Sequence, residues 1–231
     1  MRPGTEVLTT LPLLAAFSGA QIAALNRHAD LARLGPDEVL FREGEPIADL
    51  HIVLSGFVGE THDRNGETAI ADVIGPGRPV GFAAAMLGTP SPTGAKTITA
   101  ARLVILPAAE LRSMIRTRPA LALPFLDHAL AGMRQQTVEL CTMKLRSSAQ
   151  RLAAFLLGLV DDPTVSPARF VLPYEKRYLA AKIGCTQENL SRAFAALRHH
   201  GVETQQGVVV LRDVPGLRAF AGLAPADETP T

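Results

Sequence analysis

Four polar side chains late in the sequence have the types and spacing to touch DNA. Gln187, Glu188, Ser191 and Arg192 share one face of a helical repeat whose opposite face is Leu190, Phe194 and Leu197, spaced four and three apart. An amide, a carboxylate, a hydroxyl and a guanidinium at the start of a helix match the part of a recognition helix that enters the major groove. Thr186 precedes them as a good N-cap; with Asn189 rather than Glu or Gln at the third helical position it is a plain cap, not a capping box. Upstream, Ala180, Ala181 and Ile183 mark one face of a first helix, and Gly184 can take the left-handed conformation that ends it. The stretch from Tyr174 to Gly201 therefore reads as helix, glycine turn, helix. A solvated helical hairpin with no ligand is the competing reading.

These side chains need a scaffold, and the rest of the chain supplies one in segments. With 231 residues and 47% hydrophobic content it suits one large or two modest domains. Net charge is only +1, which does not suggest a nucleic-acid binder, but the average hides an asymmetry. From Lys144 to Arg212 there are ten Lys/Arg against five Asp/Glu, a local +5, so the remainder carries −4. A basic part beside an acidic one is what a DNA-binding module joined to a second module shows.

The start, through Leu11–Phe17 to Ile22 and Leu25, reads as an N-terminal helix of the fold, since Glu6 and Pro12 interrupt any signal-peptide pattern. From about Leu34 to Pro107 short β-compatible runs alternate with glycine turns, including Asn65-Gly66, a strong hairpin signal. A rolled sheet of about eight short strands is expected there. A helical pattern follows to about Val160. Within it Leu126, Leu130, Met133, Thr137, Leu140 and Lys144 alternate by four and three, the seam of a helix that pairs with its twin; packing onto its own β-domain is the alternative. The loop Asp161–Arg169 precedes the DNA-reading segment. Beyond it, residues 202–213 read as a two-stranded wing turning at Gln206-Gly207, and the tail from Gly222 is expected to be disordered. The domains expected are 1–118 for the β-roll, 119–147 for the dimer helix, 148–221 for the DNA reader and 222–231 for the tail. No apolar run approaches the ~18–20 residues that span a bilayer. The expectation is a soluble cytoplasmic protein with no membrane partner.

The whole chain resembles the Crp/Fnr family of bacterial transcription regulators. Gly44, Gly56, Gly66, Gly77 and Gly81 fall where that family's cyclic-nucleotide-binding fold places its turns, the long helix matches its dimer helix, and Tyr174–Gly201 matches its helix-turn-helix. The resemblance implies an α+β architecture of β-roll, dimerisation helix and winged helix-turn-helix, a homodimer on double-stranded DNA, and no enzymatic role. Glu188-x-x-Ser191-Arg192 is similar to the signature of the Fnr branch, which implies TTGAT-type half-sites in an inverted repeat. The chemistry fits: Arg192 can fork onto O6 and N7 of guanine, Glu188 can accept from an exocyclic amino group, and Ser191 is small enough to let the helix approach thymine. Gln187 stands where some relatives carry a basic residue. Lys176 and Arg177 fall where family members hold phosphates, and Thr186 joins them; such contacts position without specifying. By analogy with relatives, the loop Asp161–Arg169 is expected to meet RNA polymerase.

The receptor half departs from the family's cyclic-nucleotide pattern. Where those receptors carry Gly-Glu-Leu, this chain has Gly81-Phe82-Ala83, and Ser91-Pro92 stands about where Arg-Ser is expected. No arginine occurs between Arg78 and Arg102. A buried phosphate without a paired cation is costly, so cyclic AMP is not expected to bind. No cysteine precedes Cys141, which removes the N-terminal cluster that holds an iron–sulfur centre in the oxygen-sensing branch. What remains resembles the Dnr and Nnr members tied to nitric oxide, which leaves haem open as a sensor, in a pocket around Phe82, Ala83, Ser91 and Pro92. His28, His51 and His62 are weak ligand candidates, His51 the least weak because its strand is apolar. Cys185 lies in the recognition turn, where oxidation would push bulk towards the phosphates, although a small packing residue is the plainer reading. Control by abundance alone, thiol oxidation, and a haem- or metabolite-binding sensor with a vestigial DNA module are the other readings. No carboxylate pair, nucleophile–base arrangement or metal cluster of credible spacing suggests an enzyme.

Overall fold

A computed structural model describes residues 2–64, 67–160, 162 and 165–223. The chain divides into two compact units, residues 1–136 and 137–231, and the division falls inside the long helix.

The first unit opens with α1 (Thr5–Thr9), a 3-10 turn at Pro12–Leu14 and α2 (Gly19–Asn26). The expected single helix is thus broken, because Pro12 starts a new turn and Ser18 with Gln21 forms a capping box that starts α2 afresh. The apolar residues still do their expected work: Leu8, Leu14, Ile22 and Leu25 are buried. Eight strands follow: β1 (Asp30–Leu34), β2 (Val39–Phe41), β3 (Asp49–Ser55), β4 (Val58–Arg64), β5 (Glu67–Ile74), β6 (Pro79–Val80), then helix α3 (Phe82–Leu87), β7 (Gly94–Thr97) and β8 (Ala101–Pro107). They form two four-stranded sheets, ordered β1-β8-β3-β6 and β2-β7-β4-β5, which make the expected roll. β1 begins four residues before the expected start of the β region, and it pairs in register with β8 from Asp30↔Ile105 to Leu34↔Ala101. The hairpin of β4 and β5 closes at Arg64↔Glu67. Its Asn65-Gly66 turn lies outside the described residues.

Helix α4 (Ala108–Thr117) and a 3-10 turn at Pro119–Ala122 lead into α5 (Leu123–Leu145), the expected long helix. Only Phe125 of its side chains is buried. Leu126, Leu130, Met133 and Leu140 are 52%, 55%, 64% and 52% exposed, so the seam is not used up by packing within the chain. Thr137 and Lys144, its polar members, are exposed as well.

The second unit continues with α6 (Ser148–Leu157), β9 (Ala168–Val171), α7 (Lys176–Lys182), α8 (Gln187–Leu197), β10 (Val202–Gln205), β11 (Val208–Leu211) and α9 (Val214–Phe220). The wing is three-stranded, in the order β10-β11-β9. Ala168 and Arg169, read as loop from the sequence, are in strand because Leu211 and Val210 pair with them. Gln206 and Gly207 have φ of 49° and 82°, the paired left-handed residues of a type I′ hairpin turn. Leu152, Leu156, Leu179, Leu190, Leu197 and Leu217 belong to one apolar core. Leu223 packs against that core, so ordered chain passes the expected boundary at Gly222. Residues 224–231 of the expected tail, and Asp161, Pro163 and Thr164 of the expected polymerase loop, lie outside the described residues. Among the described residues no helix is long and apolar enough to cross a membrane.

Candidate nucleic-acid interface and receptor pocket

Helix α8 is built as its periodicity requires. Leu190, Ala193, Phe194 and Leu197 are buried, and the Thr186 hydroxyl accepts from the Asn189 N–H at 3.2 Å, capping the helix. Gln187, Glu188, Ser191 and Arg192 are all exposed on the opposite side of its first two turns. Arg192 Nη2 donates to Glu188 Oε1 at 2.5 Å, a pair one turn apart with the carboxylate N-terminal, the favourable order. Ser191 donates its hydroxyl to the Gln187 carbonyl at 3.0 Å, which keeps a small side chain folded back on the helix. The base-reading candidates thus lie together on one open face.

The turn before α8 is fully accounted for. Gly184 has φ of 67°; its N–H bonds the Ala181 carbonyl and the Cys185 N–H bonds the Ala180 carbonyl. This is the Schellman pattern that ends α7. The positive φ favours glycine at 184, and a Cβ there would lie 3.0 Å from Met143 Sδ, so the methionine would have to give way slightly. Lys176 and Arg177 open α7 and are exposed, as expected of phosphate ligands. Lys176 Nζ lies 5.0 Å from the centroid of the Phe194 ring, while Arg177 pairs with Glu175 at 3.2 Å. Tyr178 is buried, with the Arg177 guanidinium 4.5 Å from the centroid of its ring, a contact that the apolar periodicity of α7 does not signal.

Neither cysteine is bonded. Cys141 is exposed and Cys185 half-buried. Burial pushes the Cys185 thiol up, with Arg151 opposing, so the reactive thiolate is disfavoured and the packing role gains support.

In the first unit the segment around Gly81 is where a cyclic nucleotide's ribose and phosphate would be met if the family pattern held. Gly81 has φ of 62°, and a Cβ there would come within 2.6 Å of Ile47 and 2.8 Å of Phe41. Its N–H donates to Glu60 Oε1 at 2.9 Å, across 21 positions of sequence. Burial raises the pKa of Glu60, and the Gly81 N–H lowers it by less. Phe82 does not stand alone: it stacks with Phe125, centroids 6.3 Å apart, and meets the His128 ring edge-on at 4.7 Å. Burial and nearby Arg78 hold the His128 pKa below its usual value. Arg78 itself is paired with Asp72 at 3.2 Å. Ser91 is buried, and its hydroxyl accepts from the Thr93 N–H at 3.4 Å. Ala83 is exposed at the start of α3, and so is Pro92. Glu60 and His128 were both missed from the sequence, since Glu60 lies in the polar run Gly59-Glu60-Thr61-His62, which does not mark it as a pocket residue.

The candidate histidines do not converge. His28 lies 3.5 Å from Glu110 and His62 lies 3.1 Å from Glu43. His51 is mostly buried, its Nδ1 has no hydrogen-bond partner, and burial lowers its pKa. Among the described residues no group of three or more His, Cys, Asp or Glu side chains is arranged to hold a metal ion.

A β-roll receptor carried with a capped, winged helix-turn-helix defines a DNA-binding transcription regulator. The comparisons with known proteins agree. Residues 31–118 match the model of the cyclic nucleotide-binding domain, and residues 150–220 match that of the Crp-like helix-turn-helix domain. Together these take in more than half of the chain, which belongs to the Crp/Fnr family of transcription regulators. It is 25% identical over 210 residues to the CRP-like cAMP-activated global transcriptional regulator of Mycobacterium tuberculosis, covering 89% of this chain and 94% of that one. Among solved structures, a Ruegeria pomeroyi protein described as cyclic nucleotide binding is 27% identical with a TM-score of 0.67, over 95% of this chain and 97% of that one. FixK2 of Bradyrhizobium japonicum shares the fold, with a TM-score of 0.72 at 21% identity over 86% and 98% of the two chains. The relatives matched by sequence are regulators of transcription rather than enzymes.

Proposed function

We propose that this regulator acts as a homodimer, reads TTGAT-like inverted repeats, and answers to an effector other than cyclic AMP. The observation that carries the reading is the open face of α8, where Glu188, Ser191 and Arg192 stand together on a capped helix. Their donors and acceptors match base edges of such a half-site in the major groove. The dimer reading is supported by the exposed apolar seam of α5. A two-fold pair sets its reading helices about 34 Å apart, one turn of DNA. Contact with RNA polymerase belongs to the same proposal.

The choice of effector rests on charge. The chain matches a cyclic nucleotide-binding domain and is similar to a cAMP-activated regulator, yet Glu60 puts a carboxylate against Gly81, and Arg78 is already paired with Asp72. An anionic phosphate would enter beside a carboxylate instead of a free cation. Haem answering to nitric oxide is the first effector to test. His128 sets a half-buried imidazole against Phe82 and lies on the same helix as Phe125, with its neutral, metal-binding form favoured. His128 thus replaces His51 as the preferred ligand.

The test is selection of bound sequences from random duplexes by the purified protein, together with its absorbance spectrum. Enrichment of TTGAT-like palindromes is expected; enrichment of unrelated or non-palindromic sites defeats the reading of α8. A visible Soret band shifted by nitric oxide would establish the haem effector, and a colourless protein that binds its palindrome without ligand would point to control by abundance.

A further inference from the structure

Arg151 sits where two helices end. It lies in the first turn of α6, where a positive charge opposes that helix's own dipole. Its guanidinium touches its own helix through Ser148 Oγ at 3.4 Å, but its shorter bonds serve other elements. Nε donates to the Ile183 carbonyl at 2.7 Å, Nη2 to the Gly184 carbonyl at 3.1 Å, and Nη1 to the Arg146 carbonyl at 2.7 Å. The first two belong to the Schellman turn that closes α7; the turn's own bonds use the carbonyls of Ala180 and Ala181, so those of Ile183 and Gly184 are left for the arginine. The third follows the last residue of α5. One planar cation therefore joins the negative ends of α5 and α7.

Two further contacts tie the same parts. Met143 of α5 lies against Gly184, and Glu139 of α5 lies 3.5 Å from Lys182 of α7. Thr186, the cap of α8, comes two residues after Gly184. Only Cys185 separates Gly184 from that cap, so the turn held by Arg151 leads straight into α8.

We propose that Arg151 is a positioning residue for DNA recognition: by joining the end of α5 to the Ile183-Gly184 turn, it sets the angle at which the first turn of α8 meets the base edges. It rests on the assignment of α8 as the base-reading helix. Base-edge hydrogen bonds depend on geometry that a loosened turn loses, whereas phosphate contacts tolerate it. A lysine at 151 keeps the charge but cannot span three acceptors in one plane.

The test uses the full chain and the duplex that wild-type protein selects from a random pool, so it does not depend on the TTGAT assignment. Affinity for that duplex and for a scrambled one is measured across a salt series for wild type, Arg151→Lys and Arg192→Ala, with thermal melts of each. For folded Arg151→Lys, selected-site affinity is expected to fall at least tenfold, with scrambled-site affinity and salt slope within twofold of wild type. An unchanged ratio between the two duplexes overturns the proposal, as does an equal loss on both. Should Arg151→Lys fail to fold, Arg151→Gln takes its place under the same criteria. If both unfold, the guanidinium is a folding element and the positioning role is lost. A normal ratio for Arg192→Ala would instead sink the base-reading assignment, whatever Arg151 does.

Discussion

The guanidinium of Arg192 and the carboxylate of Glu188 are joined at 2.5 Å on the open face of α8, while both side chains remain about three-quarters exposed. At that exposure the pair adds little to stability. Its value is geometric. Each group limits the rotamers of the other, so the exposed face of α8 presents donors and an acceptor already side by side.

Replacing Arg192 with alanine is expected to relax discrimination at one base pair per half-site, by about 1–3 kcal/mol, without unfolding the chain. Binding assays on single-base variants of the selected palindrome measure this. By contrast, Lys176→Ala should weaken binding to all duplexes alike. It should also make the slope of log affinity against log salt shallower by roughly one, the value of a single neutralised phosphate. A sequence-dependent effect of Lys176→Ala would remove it from the phosphate-holding group.

The seam of α5 offers a direct test of assembly. Leu130 is 55% exposed, so Leu130→Asp costs the isolated chain little. It should shift sedimentation from dimer to monomer and reduce affinity for the palindrome far more than for a single half-site. A variant that stays dimeric would place the interface elsewhere.

Cyclic AMP is expected to leave the melting temperature unchanged. A ligand held at 100 times its Kd stabilises a fold by about 2.7 kcal/mol, so a millimolar addition would reveal any affinity near ten micromolar. A clear upward shift would show that the roll meets the phosphate without the missing arginine.

Glu60 makes a signed prediction about pH. Its pKa is raised in the folded chain, so the unfolded state holds the charge more easily, and the carboxylate becomes a penalty as pH rises above about 4.5. Glu60→Gln removes that penalty and keeps an oxygen to accept from the Gly81 N–H. The variant should melt higher than wild type at pH 7.5, and the gain should vanish towards pH 4. A lower melting temperature at pH 7.5 would mean that the charged form is held by a partner the amide cannot satisfy.

Much of the reader was legible in the residues themselves. The period of Leu190, Phe194 and Leu197, the Thr186 cap, the Gly184 turn and the Gln206-Gly207 hairpin each need only a few consecutive residues, because helix period, capping and left-handed turns are local properties. The receptor was legible as a rolled sheet but not in its contents. Helix α3 hides in a stretch of alanines, and β9 and α9 carry too little pattern to stand out beside a loop and a tail.

Local sequence pattern alone accounts for a capped helix carrying Glu188, Ser191 and Arg192 opposite an apolar stripe, and for a line of exposed apolar side chains along α5. Which distant groups meet depends on how the chain closes on itself. Glu60 reaches Gly81 across 21 positions, Arg151 reaches Ile183 across 32, and Phe82 meets His128 from another helix. No local rule specifies such pairs, since they depend on strand register and on how helices pack after the chain has closed. The same closure set a half-buried carboxylate beside Gly81 and placed an arginine of α6 between the end of α5 and the Ile183-Gly184 turn.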